Sequence, residues 1–219
     1  MIPKPLRPLT QPLRKYYVPL ILDKHEPDDE VQEYIPFLSK DVILGEIGAN
    51  MGMSTRIYSQ ACKFVHSFEA NPETFQILKR YTRKFGNVSV HNMALWNTDG
   101  QLRFFFSGKG TRYDSISLLV DGKHGRSVMV NSGKLDNQEC SKELTALAID
   151  TEGAEVAILQ GAKETLNHIN LIMVETHYTK DKPEGTSNDV RVLLDQSGFS
   201  EIHSRKSSGS AQDVIIFKR

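Results

Sequence analysis

Cysteine is scarce in this chain. Only Cys62 and Cys140 occur among 219 residues, with neither the spacing of a metal-ligand motif nor the density of a disulfide scaffold. A reducing, cytoplasmic setting is the expectation. Long apolar runs are also missing: none approaches the roughly 18 consecutive residues that a membrane helix needs, so no membrane span is expected. Charge of one sign is absent as well, because 27 Lys and Arg stand against 27 Asp and Glu. Without a global field to draw a polyanion, nucleic acid is disfavoured as a partner. The basic, proline-rich N-terminus lacks the apolar segment of a secretory signal, so no export address is expected. What is present is ordinary globular composition, 39% apolar and 25% charged. The length suits one large domain that buries about 70% of its unfolded surface.

Pro3, Pro5, Pro8, Pro12 and Pro19 break any helical period, so residues 1–29 read as an irregular arm. Such an arm either serves homo-oligomerisation or substrate entry, or is simply a chain end. The domain proper is expected over 30–219. Its first element is a helix from Asp28 to Leu38, shortened or distorted by Pro36.

The stretch from Val42 to Gly52 reads as a buried strand running into a glycine-punctuated turn and a helix that begins near Met53. Gly48 and Gly52 permit positive φ and close backbone approach, and with Ala49 and Asn50 they form a cofactor-cradling turn. The pattern Glu46-x-Gly48-x-Asn50-x-Gly52 lacks the third glycine that a dinucleotide pyrophosphate favours, and it carries a carboxylate ahead of the first glycine. Glu46 therefore suits a cationic ligand end, such as the amino group and sulfonium of S-adenosylmethionine. A second strand, Phe64 to Phe68, stops at Glu69, about 20 residues after Gly48. That is the separation at which a ribose-binding acid follows the glycine turn in nucleotide-binding α/β folds. Asn71 and Pro72 start a helix ending at Gly86. A third strand, Val88 to Met93, then brings Asn92 and Ala94 to the crevice as candidate contacts for a base.

An insertion follows over 101–134. It opens as a hairpin at Gln101 to Phe106, and 107–134 reads as a loop over the site. Leu144 to Ile149 is an apolar strand delivering Asp150 and Glu152 at its end, with a helix behind them. Leu171 to Val174 is another buried strand, followed by Glu175 and His177 at the same sheet edge. Asp150, Glu152 and His177 are thus the candidate catalytic residues. Capping of the helix N-terminus by the two acids is the structural alternative. No metal is assigned, although Asp150, Glu152, Glu175 and His177 make a chemically reasonable set of hard ligands. The chain closes with a helix, then two strands joined by a tight Ser/Gly turn, which must be antiparallel. The expected architecture is a seven-stranded, mostly parallel α/β sheet with one antiparallel edge strand.

The segments Glu46–Gly52, Phe68–Pro72, Ala94–Gly100, Ile149–Glu155 and Glu175–His177 together resemble the FkbM family within the Rossmann-like class I S-adenosylmethionine-dependent methyltransferases. The Asp-x-Glu-Gly-x-Glu run from Asp150 to Glu155 is the most specific of them. The resemblance implies methyl transfer to a hydroxyl of a small-molecule or glycan acceptor such as a sugar or polyketide, with Asp150 or His177 accepting the proton. It puts Glu46 and residues 48–52 at the methionine end, Glu69 at the ribose, and Asn92 to Ala94 at the adenine. The family often has aspartate where this chain has Glu46, and 107–134 matches no motif. The rival expectations are a nicotinamide-dependent oxidoreductase and a non-catalytic scaffold on the same fold.

Overall fold

A computed structural model of the protein describes residues 29–105, 126–177, 185–206 and 212–219. The expected arm falls outside these residues, apart from Asp29 at the start of α1 (Asp29–Tyr34). Pro36 converts the end of that helix to a 3-10 turn over Ile35–Phe37, as its missing N–H requires.

Seven strands form the main sheet: β1 (Ile43–Ile47), β2 (Phe64–Phe68), β3 (Val88–His91), β7 (Ala146–Asp150), β8 (Leu171–His177), β9 (Ser200–Lys206) and β10 (Gln212–Lys218). Their order is β3-β2-β1-β7-β8-β10-β9. All neighbours are parallel except β10, which is antiparallel to both β8 and β9. The single reversed strand therefore belongs to the terminal hairpin at one edge of the sheet.

Alternate residues of the central strands feed two cores, one on each face. Ile47, Phe68, Ile149 and Val174 pack with Ile158 of α4 (Glu155–Gln160) and with Val190 and Leu194 of α6 (Ser187–Gln196). Leu44, Val65, Ala148 and Met173 pack with Val31 and Tyr34 of α1 and Tyr58 of α2 (Met53–Ala61). On β2's other flank, α3 (Pro72–Thr82) starts where expected. The Asn71 side chain accepts from the N–H groups of Glu73 and Thr74, and Pro72 occupies the first helical turn. A four-residue helix, α5 (Lys163–Leu166), leads into β8.

Two boundaries differ from expectation. The third strand stops at His91, and Ala94–Leu95 (β4) leaves the main sheet to pair in parallel with β6 (Ser127–Gly133). The segment 127–133, read above as loop, is thus a strand antiparallel to β5 (Gly100–Phe105). Its signal was Val128 and Val130 in alternation with exposed Met129 and Asn131, masked by the Gly/Ser-rich composition upstream. Residues 106–125, most of the expected lid, lie outside the described residues.

Candidate active site

At the carboxyl ends of β1, β2 and β7 lies a cleft of about 650 Å³, its open mouth included. One wall begins at the β1 turn, where Gly48, Asn50 and Gly52 all have positive φ (92°, 49° and 95°). A Cβ on Gly48 would sit 1.8 Å from the backbone oxygen of Asp150, so only glycine lets the β1 and β7 turns meet. The N–H groups of Gly48 and Ala49 both donate to the Phe68 carbonyl, which fixes the turn against β2.

Glu69 is the best organised acid on the cleft. Its Oε2 accepts from the N–H of Asn50 at 2.8 Å and its Oε1 from the N–H of Asn71 at 2.7 Å. Two backbone donors lock its rotamer on the cavity that it lines. Ala94 lines the cavity with Met93, Leu95 and Phe104, an apolar slot across from Glu69.

Several expected contacts are corrected. Glu46 does not line the cleft: it is buried in β1 and accepts hydroxyl hydrogen bonds from Ser54 (2.5 Å), Thr55 (2.6 Å) and Ser67 (2.6 Å). Burial pushes its carboxyl up, and these three hydroxyls pull it back down. It ties β1 to β2 and to the start of α2. Gly52 packs against α3, where a Cβ would come within 2.9 Å of the Leu78 side chain, and Ala49 is buried beside Phe75 and Leu78. Asn92 turns back to donate to the carbonyls of Glu69 (2.9 Å) and Ala70 (3.2 Å). It supports the turn behind the cleft and does not face a base.

The opposite wall is acidic. Asp150 ends β7 half open to the cleft, and Glu152 follows in a left-handed turn (φ 54°) completed by Gly153 (φ 108°). Behind them Glu155, fully buried at the start of α4, accepts from the N–H of Gly153 (2.8 Å), from the Thr186 hydroxyl (2.9 Å) and from Nδ1 of His177 (2.9 Å). With Nδ1 so held, Nε2 of His177 points at Asp150 (3.8 Å) and Glu152 (3.7 Å) and has no hydrogen-bond partner among the described residues. Glu175 completes the group, and Asp150, Glu175 and His177 each offer a ligand atom within 4.8 Å of the others.

The charges are mutually dependent. Desolvation raises Asp150 to about 7, with Glu152 adding to the rise and His177 opposing it. Glu175 is raised to about 9 by burial and by the neighbouring Asp150 and Glu30. Burial alone would lower His177, but the Glu155 carboxylate, reinforced by Asp150 and Glu152, outweighs it and brings the imidazole to about 10. Among the described residues no Lys or Arg lines the cleft. The pocket therefore suits a cationic ligand and repels a pyrophosphate.

Sequence reasoning brought Asp150, Glu152, Glu69, Gly48, Asn50 and Ala94 to one cavity; it also expected His177 to flank that crevice, whereas the structure sets His177 back from the lining, behind Asp150. It missed Glu155 as a site residue, although the Asp-x-Glu-Gly-x-Glu spacing carries that residue into the first turn of α4. It also missed Thr186 and Phe104, for which no local motif exists.

This sheet order, with a glycine turn at β1 and an acid after β2, defines a Rossmann-like class I methyltransferase. Residues 46–201 match the Methyltransferase FkbM domain, and the chain belongs to that family. It is an S-adenosylmethionine-dependent methyltransferase. Hexuronic acid methyltransferase AglP of Haloferax volcanii is 26% identical over 186 residues, covering 82% of this chain and 72% of that protein. Among solved structures, Sp1610 of Streptococcus pneumoniae in complex with S-adenosyl-L-methionine shares the fold with a TM-score of 0.57 at 11% identity, over 88% of this chain and 73% of that one. Methyltransferase FkbM from Methylobacillus flagellatus shares it with a TM-score of 0.56 at 12% identity, over 94% and 59%. No helix among the described residues is long and apolar enough to cross a membrane.

Proposed function

We propose that the protein methylates a hydroxyl oxygen on a sugar or sugar-like metabolite, in the cytoplasm, and that Asp150 accepts the hydroxyl proton. The observation that carries this reading is the position of Asp150: on the cleft wall, against the Gly48 turn, with its side chain half open to the cleft. A general base works best with a pKa close to the operating pH. The sugar acceptor is suggested by the AglP relative, whose own substrate is a hexuronic acid.

S-adenosylmethionine, when bound, supplies the electrophilic methyl group. The cleft fits it: the Gly48 turn leaves backbone room, Glu69 offers acceptors for two ribose hydroxyls, and the slot of Met93, Ala94, Leu95 and Phe104 suits a planar base. Asp150 and Glu152 give the cationic end an acidic wall. Glu155 and His177 are positioning residues in this account. Glu155 fixes the imidazole by Nδ1, and the charged ring sets the orientation of Asp150 and Glu152 through Nε2. Most of the rate then comes from holding acceptor oxygen and methyl in line, a contribution that proximity alone can make large.

Incubation with methyl-labelled cofactor and a panel of neutral hexoses, hexuronic acids and their glycosides tests this reading. Label is expected on a hydroxyl oxygen of a sugar. Label on nitrogen, or on a carboxylate as a methyl ester, would contradict it.

A further inference from the structure

A second cluster of chemistry-bearing side chains lies on the sheet face across Phe68 from the cleft. The His91 ring stacks on Phe68 (4.5 Å, 19°), and the His66 ring lies beside it (5.5 Å, 27°). Nδ1 of His66 faces Nε2 of His91 at 3.3 Å. Cys140, buried in the 3-10 turn Glu139–Glu143, joins them, and one ligand atom from each of the three residues lies within 4.8 Å of the others. From the same turn, the Glu143 carboxylate comes within 2.9 Å of the other His66 nitrogen, Nε2.

The geometry points to a divalent transition-metal site formed by His66, His91 and Cys140, taking a borderline ion of the Zn2+ type and separate from the methyl-transfer cleft. Two imidazole nitrogens bound to one tetrahedral Zn2+ at about 2.0–2.1 Å are separated by roughly 3.3 Å, the distance found here. A single N–H···N hydrogen bond would also give that distance, but it does not account for the thiol gathered beside the two rings. The Glu143 carboxylate stands 2.9 Å from Nε2 of His66 without being aligned as a hydrogen bond; its charge favours the proton on that nitrogen and leaves Nδ1 as a lone pair toward His91. A small turn of the ring on binding a metal would make it the outer partner that metal-bound histidines ordinarily have. Nitrogen and sulfur donors select Zn2+ and its neighbours over Mg2+ or Ca2+. His91 is only partly buried, so an ion can enter, and three protein ligands leave a fourth position for water.

Binding needs the Cys140 sulfur to close on the ion. As the metal–sulfur bond forms, the thiol proton leaves to solvent. The thiolate and Glu143 then balance the two positive charges. The ion would fasten the 139–143 turn to the β2–β3 edge directly behind Phe68.

The test is cobalt titration of the full chain after chelator treatment. One equivalent of Co2+ is expected to produce a thiolate-to-metal charge-transfer band and tetrahedral d–d bands, both lost on addition of Zn2+, which also raises the melting temperature. Cys140→Ser should remove the charge-transfer band. Glu143→Ala should weaken binding roughly 10- to 100-fold, as loss of an outer partner does. Asp150→Asn should change neither. Protection of Cys140 from thiol reagents by Zn2+ in the unmodified protein gives a second readout that does not depend on variant folding. The inference is overturned by absence of the bands and of thiol protection, by a band that survives in folded Cys140→Ser, or by metal effects that disappear in Asp150→Asn.

Discussion

Glu69 and Glu46 illustrate how two buried carboxylates on neighbouring strands acquire different duties. Glu69 lines the cleft, so Glu69→Gln is expected to weaken S-adenosylhomocysteine binding by about 1.5–3 kcal/mol, the worth of hydrogen bonds to a charged group. That is roughly 10- to 150-fold in Kd by calorimetry, and unchanged affinity would make Glu69 a purely structural acid. The burial of Glu46 among hydroxyls was not legible, because strand alternation says which face a residue takes but not what it meets there. Ser54, Thr55 and Ser67 come from two other elements, and only the folded chain shows them converging on it. Asp150, Glu152 and His177 were legible because each closes or directly follows a strand, and parallel strands deliver their ends to one edge. Which of Asp150 and His177 reaches the cleft was not legible, since that depends on Glu155 drawing the imidazole back by Nδ1.

At the scale of elements, the parallel sheet was readable from its alternation of apolar strands with amphipathic helices, and its reversed strand from the tight terminal turn. The insertion was read only in part. Its first strand is aromatic and obvious, whereas Ser127–Gly133 looks polar because only one of its faces is buried. The β4–β6 pairing carries Ala94 and Leu95 to the cleft, so this small sheet forms part of the cofactor wall. Replacing 107–125 with a short Gly/Ser turn, which leaves β5 and β6 intact, is therefore expected to spare cofactor affinity and to change the KM for acceptors. Collapse of cofactor binding in that variant would instead assign 107–125 to the wall itself.

For the molecule as a whole, the acidic wall couples protonation to folding. Asp150, Glu175 and His177 all bind a proton more tightly folded than unfolded. The stability each contributes is complete below its unfolded pKa and is lost as pH rises through the folded value. Without added cofactor, this cluster is thus expected to lower the melting temperature progressively as pH rises from about 4 to about 10, with Asp150 acting up to about 7, Glu175 up to about 9 and His177 up to about 10. Glu175→Gln should make the fall shallower, and a flat profile would show that the cluster is solvated and uncoupled.

The central claim is that Asp150 takes the acceptor's proton, and the most direct measurement compares Asp150→Asn with the unmodified enzyme on a confirmed sugar acceptor. The account predicts a kcat lower by about 10²–10⁴, the range for a positioned general base, with cofactor affinity nearly unchanged in calorimetry. A variant that keeps near-normal kcat would contradict it, and positioning alone would then carry the reaction.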